Sequence, residues 1–115
     1  MFAGHHKLDN LIIIVDKNNF QATAKTEEVI NQENLSSRIE SFGFDVLSVN
    51  GHDEQELDSA IQQLFQSKTS RPKAIVANTV KGYGISFMED SNDWHYKRLD
   101  SETYEAALKE LELRK

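Results

Sequence analysis

Three polar residues, Asp16, Asn18 and Asn19, follow the apolar run Leu11–Val15 of this 115-residue chain. Carboxylate and amide oxygens are the ligands that Mg²⁺ prefers, and the cation shares its roughly six positions between protein and substrate phosphates. The same residue types also form turns, because their side chains bond the local backbone and tolerate left-handed angles. From residue types alone a turn is the simpler interpretation, and a magnesium site is the alternative.

A second candidate is His95, which lies in the sequence Asn-Asp-Trp-His-Tyr-Lys. Histidine titrates closest to neutral pH, so it can exchange protons with a substrate or contact a phosphate. The alternative is a surface histidine that packs beside an aromatic residue. The chain has no cysteine and no H-E-x-x-H sequence, which argues against a zinc site built on histidine.

The candidates lie in two long segments that are predicted to be loops, Asp16–Gln32 and Lys81–Lys97. Leu11–Val15 is apolar and β-branched, which predicts a strand covered on both faces. Two more strands are predicted at Phe44–Val49 and from Ala74 onward. Apolar stripes at helical spacing predict three helices; their members are Leu35, Ile39 and Phe42, then Leu57, Ile61, Leu64 and Phe65, and finally Tyr104, Leu108 and Leu111.

Helix ends are indicated by single residues. Asp53 is a good N-cap for the second helix, and Asp100 or Ser101 for the third. Asn34 or Asn31 is the predicted cap of the first helix. Gly43 stands where a left-handed residue ends that helix.

The order β–loop–α–β–α–β–loop–α predicts an α/β fold with about three parallel strands joined by crossover helices. Ligands of such sheets bind beyond the carboxyl ends of the strands, where both long loops emerge. A strand covered on both faces needs a neighbour on each side. Because Met1–Asp9 is too short to provide one, we expect the module to be incomplete at its N-terminus.

Composition restricts the possible partners. The net charge of −6 disfavours nucleic acid and anionic membranes, because no basic stripe offsets it. The longest apolar run is too short to span a bilayer, and no signal peptide is recognisable. With no cysteine for disulfides, we expect a cytoplasmic protein.

Three segments resemble the transketolase family: HHKLDNLIIIVDKNNFQATAKTEEV, SFGFDVLSVNGHD and ANTVKGYGISFMEDSNDWHYKRL. The resemblance runs from about His5 to Leu111 with matching order and spacing. Within the family, the chain is similar to the thiamine diphosphate-binding, amino-terminal subunit of split transketolases. The resemblance implies that residues 1–115 are the carboxyl-terminal portion of that diphosphate-binding domain.

The resemblance also implies roles for individual residues. In the family, an asparagine side chain and a backbone carbonyl two residues later bind the Mg²⁺ that holds the cofactor diphosphate. Here these are Asn18 and the carbonyl of Phe20. His95 corresponds to a family histidine near the diphosphate and the substrate. The family has a glycine where this chain has Ala24, which predicts a strained turn.

The Gly-Asp-Gly half of the family motif does not occur upstream of Asn18. The resemblance therefore implies that this chain lacks the metal-binding aspartate and does not transfer ketol groups alone. It further implies a pyrimidine-binding partner subunit that carries the catalytic glutamate, sugar phosphate substrates and an oligomeric enzyme. The alternative is a truncated, non-catalytic paralogue that acts as a binding or assembly module.

Overall fold

The computed structural model describes residues 1–113, which form an α/β fold with a parallel sheet. The strands are β1 (Ile12–Lys17), β2 (Asp45–Asn50) and β3 (Lys73–Asn78). The helices are α1 (Phe2–His5), α2 (Thr26–Val29), α3 (Leu35–Ser41), α4 (Glu54–Gln66) and α5 (Ser101–Leu113), and a 3-10 helix spans Asn92–His95. The predicted order of strands and crossover helices is confirmed. None of the helices in residues 1–113 is long and apolar enough to cross a membrane.

The central strand is β3, which pairs in parallel with β1 on one side and β2 on the other. Ile75 of β3 has no exposed surface, whereas its register partner in β1, Ile14, is 59% exposed. The prediction that β1 is covered on both faces is therefore wrong. An apolar β-branched run predicts a strand but does not distinguish a central strand from an edge strand.

The core forms where α4 packs on the sheet. Ile75 lies against Ala60 and Leu64, with Leu47 and Val49 of β2 around them. Since the side chains of a strand alternate between its two faces, Leu47 and Val49 share one face of β2.

Some of the helix ends predicted from single residues agree with the structure. Asp53 caps α4 by accepting hydrogen bonds from the backbone N–H groups of Gln55 and Glu56, at 2.9 and 3.0 Å. Gly43, after α3, is left-handed with a φ of 89°. Asn34, one of the two predicted cap residues, occupies the N-cap position of α3, but its side chain makes no capping hydrogen bond. Asn34 is itself left-handed, with a φ of 55°, whereas a capping side chain requires an extended backbone.

The chain divides into two compact units. The sheet unit comprises Met1–Lys17 and Gln32–Thr79, and the loop unit comprises Asn18–Asn31 and the described residues from Val80 onward. The loop unit is more ordered than the sequence predicts, because it contains α2 and the 3-10 helix. On α5 the predicted apolar stripe of Tyr104, Leu108 and Leu111 is 39–51% exposed, and Ala107 is the buried residue.

Candidate functional site

The carboxyl ends of the strands are joined by polar side chains. The Thr79 hydroxyl, just after β3, donates a hydrogen bond to the Asp16 carboxylate of β1. On the other side of β3, the Asn78 amide donates to the Ser48 hydroxyl at 2.9 Å and to the Val49 carbonyl at 3.0 Å. Asp16 thus helps to fix the edge of the sheet from which the first loop departs.

Asn18 and Phe20 form a tight turn directly after β1. Asn18 Oδ1 accepts a hydrogen bond from the Phe20 backbone N–H at 2.9 Å, which is an Asx turn. Asn19, between them, is left-handed with a φ of 64°, and its carbonyl accepts from the Thr26 N–H at 2.9 Å. A short antiparallel bridge pairs Phe20 with Lys25 and closes a hairpin, residues 18–25.

Two oxygens of this hairpin, the Asn18 side-chain amide oxygen and the Phe20 carbonyl oxygen, are of the kind that Mg²⁺ takes as ligands. A side-chain amide oxygen has two lone pairs, so the Asn18 bond to Phe20 does not by itself exclude a metal. Among the described residues, no backbone N–H donates to the Phe20 carbonyl. The described chain contains no cluster of three or more His, Cys, Asp or Glu side chains placed to hold a metal ion. The hairpin therefore offers two candidate oxygens, whereas Mg²⁺ takes roughly six.

Ala24 does not strain the hairpin, contrary to the prediction. Its carbonyl accepts from the Gln21 N–H at 3.0 Å, and the left-handed residue of the hairpin is Asn19. Asparagine tolerates that conformation better than alanine does. The hairpin also borders a cleft of about 330 Å³, whose lining includes Phe20, Lys25 and Asp90.

His95 ends the 3-10 helix and is exposed. Its ring makes an edge-on contact with Tyr96, with 4.7 Å between the ring centroids. No hydrogen bond or ring contact joins His95 to Asn18 or Phe20 in the described chain. The arrangement therefore brings together two of the three candidate residues and leaves the imidazole accessible.

Asn92, the first residue of the 3-10 helix, is a positioning residue that the sequence did not reveal. In the orientation that satisfies both of its amide atoms, it donates to the Gln21 carbonyl at 2.9 Å and accepts from the Ala24 N–H at 3.3 Å. It thus ties the helix that carries His95 to the hairpin of Asn18 and Phe20. An asparagine in a predicted loop gives no periodic or capping signal, so only the long-range contact identifies it.

The glycine-containing segment after β3 is held by carboxylates. Glu89 accepts from the Gly84 N–H at 3.0 Å, and Glu110 accepts from the backbone N–H and the hydroxyl of Ser86 at 2.6 and 2.7 Å. Gly82 has a φ of 73° and lies against Met88. Because these amides are occupied by side chains, the segment does not form an open phosphate-binding loop.

Asp100 caps α5, as predicted. Its carboxylate accepts from the Thr103 N–H at 2.9 Å and from the Thr103 hydroxyl at 2.7 Å. These bonds, the backbone one first, hold the pKa of Asp100 below its usual range because they stabilise the ionised form.

Comparisons with known proteins agree on one family. Residues 1–114 match the family model described as transketolase, thiamine diphosphate binding domain. The chain is 34% identical over 111 residues to an apulose-4-phosphate transketolase subunit of Phocaeicola vulgatus, covering 96% of this chain and 39% of that protein. It is 38% identical to the 6-deoxy-6-sulfo-D-fructose transketolase subunit SqwG of Clostridium sp. (strain MSTE9), covering 97% and 40%.

A solved structure shows the same fold. The transketolase of Campylobacter jejuni superposes with a TM-score of 0.85 at 37% identity, covering 96% of this chain and 17% of that one. The chain thus spans about two fifths of the length of the two curated relatives.

Proposed function

Because the chain belongs to the transketolase family, through its thiamine diphosphate-binding domain, we propose that it is part of an enzyme that transfers a two-carbon ketol unit between sugar phosphates. Its cofactors are thiamine diphosphate and Mg²⁺. Residues 1–115 form part of the diphosphate-binding domain. The observation that carries the proposal is the match of residues 1–114 to the thiamine diphosphate-binding domain of that family.

Asn18 and Phe20 hold the metal in this proposal. The Asx turn fixes the side-chain oxygen of Asn18 relative to the backbone of Phe20, so two neutral ligands are positioned before a cation arrives. Neutral ligands suit this site, because the diphosphate already brings negative charge to the cation. The two residues therefore position the diphosphate without adding repulsion.

His95 contacts the diphosphate and the substrate in this proposal. The chemistry that thiamine diphosphate supplies when bound is the stabilisation of negative charge on carbon. The exposed imidazole of His95 can donate a hydrogen bond to a phosphate or hydroxyl oxygen and exchange a proton with it. Asn92 maintains the position of the helix that carries this imidazole.

The remaining ligands and the catalytic glutamate come from outside the described residues in this proposal. A pyrimidine-binding partner subunit supplies the glutamate, and the assembled enzyme is an oligomer. The names of the two curated relatives as transketolase subunits support a partner of this kind. Sugar phosphates are the proposed substrates, and a cytoplasmic location stays a prediction.

Cofactor binding to this chain tests the proposal. Because the chain offers two of about six metal ligands, we expect weak binding, which amide chemical shifts in ¹H–¹⁵N NMR spectra detect. Thiamine diphosphate with Mg²⁺ should shift the Asn18 side-chain amide and the backbone amides of Phe20 and Gln21 in a saturable manner. Thiamine diphosphate with EDTA should not.

Two variants make the test specific. Asn18→Ala removes the amide oxygen and should abolish the Mg²⁺-dependent shifts. Asn19→Gly is the matched control, because it removes the neighbouring amide while keeping the left-handed backbone that glycine favours. Equal responses of the two variants would show that Asn18 does not bind the metal, and the proposal would then fail.

A second candidate function is a non-catalytic binding or assembly module. The position of β1 at the edge of the sheet favours it, because an unpaired strand edge is a template for pairing with another chain. If cofactor causes no shift at Asn18 while sedimentation shows association of the chain through β1, this second function is favoured.

A further inference from the structure

Lys73 is a buried cation at the start of β3. The residue is 5% exposed, and its Nζ donates to the Asp9 carbonyl at 2.8 Å and to the Arg71 carbonyl at 3.1 Å. An ammonium group has three N–H donors, so one remains beyond these two bonds. No carboxylate of residues 1–113 lies within ion-pair distance of Nζ; the nearby Asp45 pairs with Arg71 instead, at 3.2 Å.

A buried charge without a counter-ion is unusual, because desolvation disfavours the charged form unless an opposite charge compensates it. Two carbonyl dipoles compensate Lys73 in part. The ammonium group therefore has the capacity to donate one further hydrogen bond.

A cavity of about 370 Å³ lies beside this ammonium group. Its lining includes a second lysine, Lys68, and one aspartate, Asp9, so its side chains carry a net charge of +1. Ile12 and Phe65 provide an apolar wall, and Phe65 is 74% exposed. Pockets for small organic ligands have volumes of about 300–1,000 Å³ and combine apolar walls with a few polar groups.

We propose that this cavity binds the anionic group, a phosphate or a carboxylate, of a small organic molecule. Lys73 supplies the fixed positive charge. The ammonium group of Lys68, at the end of a flexible aliphatic stem, contacts the same anion. The apolar part of the ligand lies against Ile12 and Phe65. A ligand of this class accepts a hydrogen bond from the third N–H of Lys73 and at the same time covers the exposed ring of Phe65.

The cavity is distinct from the candidate cofactor site. Lys73 and Ile12 begin β3 and β1, so the cavity lies at the amino ends of the strands. Asp16 and Thr79 mark the opposite edge, where β1 leads into Asn18. The proposal therefore stands or fails independently of ketol transfer.

Titrations of the ¹⁵N-labelled chain with phenyl phosphate, benzoate and the neutral benzyl alcohol test it. Saturable shifts of the amides of Ile12 and of residues 67–73 are expected with an anion. The anion that binds more tightly identifies the site as one for phosphate or for carboxylate. Absence of saturable shifts with both anions, or an equal response to benzyl alcohol, overturns the proposal.

Variants localise the binding. Lys73→Met removes the charge while keeping an apolar stem, and it should weaken anion binding at least tenfold. Lys68→Gln should weaken it a few fold, whereas Lys109→Gln on α5 is the control and should leave it unchanged. If Lys73→Met does not fold, the exposed Lys68→Gln still decides, since unchanged affinity in that variant overturns the proposal.

Discussion

In the sheet unit, Ile75 has no exposed surface and packs against Ala60 and Leu64, so burial of apolar side chains holds the structure. In the loop unit, single polar side chains bonded to the backbone hold the turns, as Asn18 does at Phe20. Burial of a large aliphatic side chain contributes about 1.5–3 kcal/mol, whereas a typical hydrogen bond contributes a net ~0.5–1.5 kcal/mol.

From this difference we predict that stability and site geometry are separable in this chain. We expect substitutions in the sheet unit to decide whether the chain folds, and loss of the bonds around the candidate cofactor residues to leave the sheet unit folded. Substitutions in the two units should therefore have different signatures.

The largest effect is expected in the sheet unit, from Ile75→Ala. It leaves a cavity between β3 and α4 and should lower the free energy of unfolding by about 2–5 kcal/mol. Ile14→Ala is the matched control, because it makes the same change at the register partner of Ile75, which is 59% exposed. Urea unfolding followed by circular dichroism measures both. Similar losses for the two would contradict the assignment of β3 as the buried centre.

A large local effect is expected in the loop unit from Gly82→Ala. A Cβ atom there would lie 2.4 Å from the Met88 carbonyl oxygen, at a φ of 73°. Left-handed backbone alone costs about 1–2 kcal/mol for alanine. Because the clash with Met88 adds to this cost, we expect Gly82→Ala to destabilise the loop unit by more than that amount. In Gly84→Ala the nearest atom is Leu111 Cδ2 at 3.6 Å, which leaves only the backbone cost.

Hydrogen exchange read residue by residue distinguishes the glycine variants. Gly82→Ala should increase exchange around Met88 and leave the amides of β3 protected. Loss of protection throughout β3 would mean that the two units unfold together and that their stabilities are not separable.

A smaller effect is expected from Asn92→Ala, which removes the bonds to Gln21 and Ala24. A loss of about 1 kcal/mol per hydrogen bond accelerates exchange of the Ala24 amide roughly fivefold or more. Asn92→Asp keeps the acceptor for Ala24 and loses the donor to Gln21, so its effect should be intermediate. Unchanged exchange of the Ala24 amide in Asn92→Ala would show that Asn92 does not stabilise the hairpin.

Much of the sheet unit could be predicted from the sequence, because its signals are local. Asp53 and Gly43 mark helix ends through their own side-chain chemistry and backbone freedom. The positions of β1 and β3 in the sheet could not be predicted, since both runs are apolar and strand order depends on pairing between distant segments. The role of Asn92 could not be predicted for a related reason, because its partners lie about seventy residues earlier in the chain.

The smallest effect is expected at Asp100. Bonding to Thr103 lowers its pKa in the folded chain, so its contribution to α5 is present above the unfolded value of about 3.9 and is lost as the pH falls through the lower folded value. The Thr103 amide shift, followed from pH 6 to pH 2, should therefore titrate below that of an unfolded aspartate. In Asp100→Asn this titration should disappear; its persistence would assign it to another group.

The most direct test of the cofactor site is the position of the metal itself. Crystals of the chain grown with thiamine diphosphate and Mn²⁺, a Mg²⁺ substitute with an anomalous signal, locate the cation. We predict one anomalous peak at bonding distance, roughly 2.1 Å, from both Asn18 Oδ1 and the Phe20 carbonyl. A bound cation elsewhere, with both oxygens outside its coordination shell, would contradict the assignment.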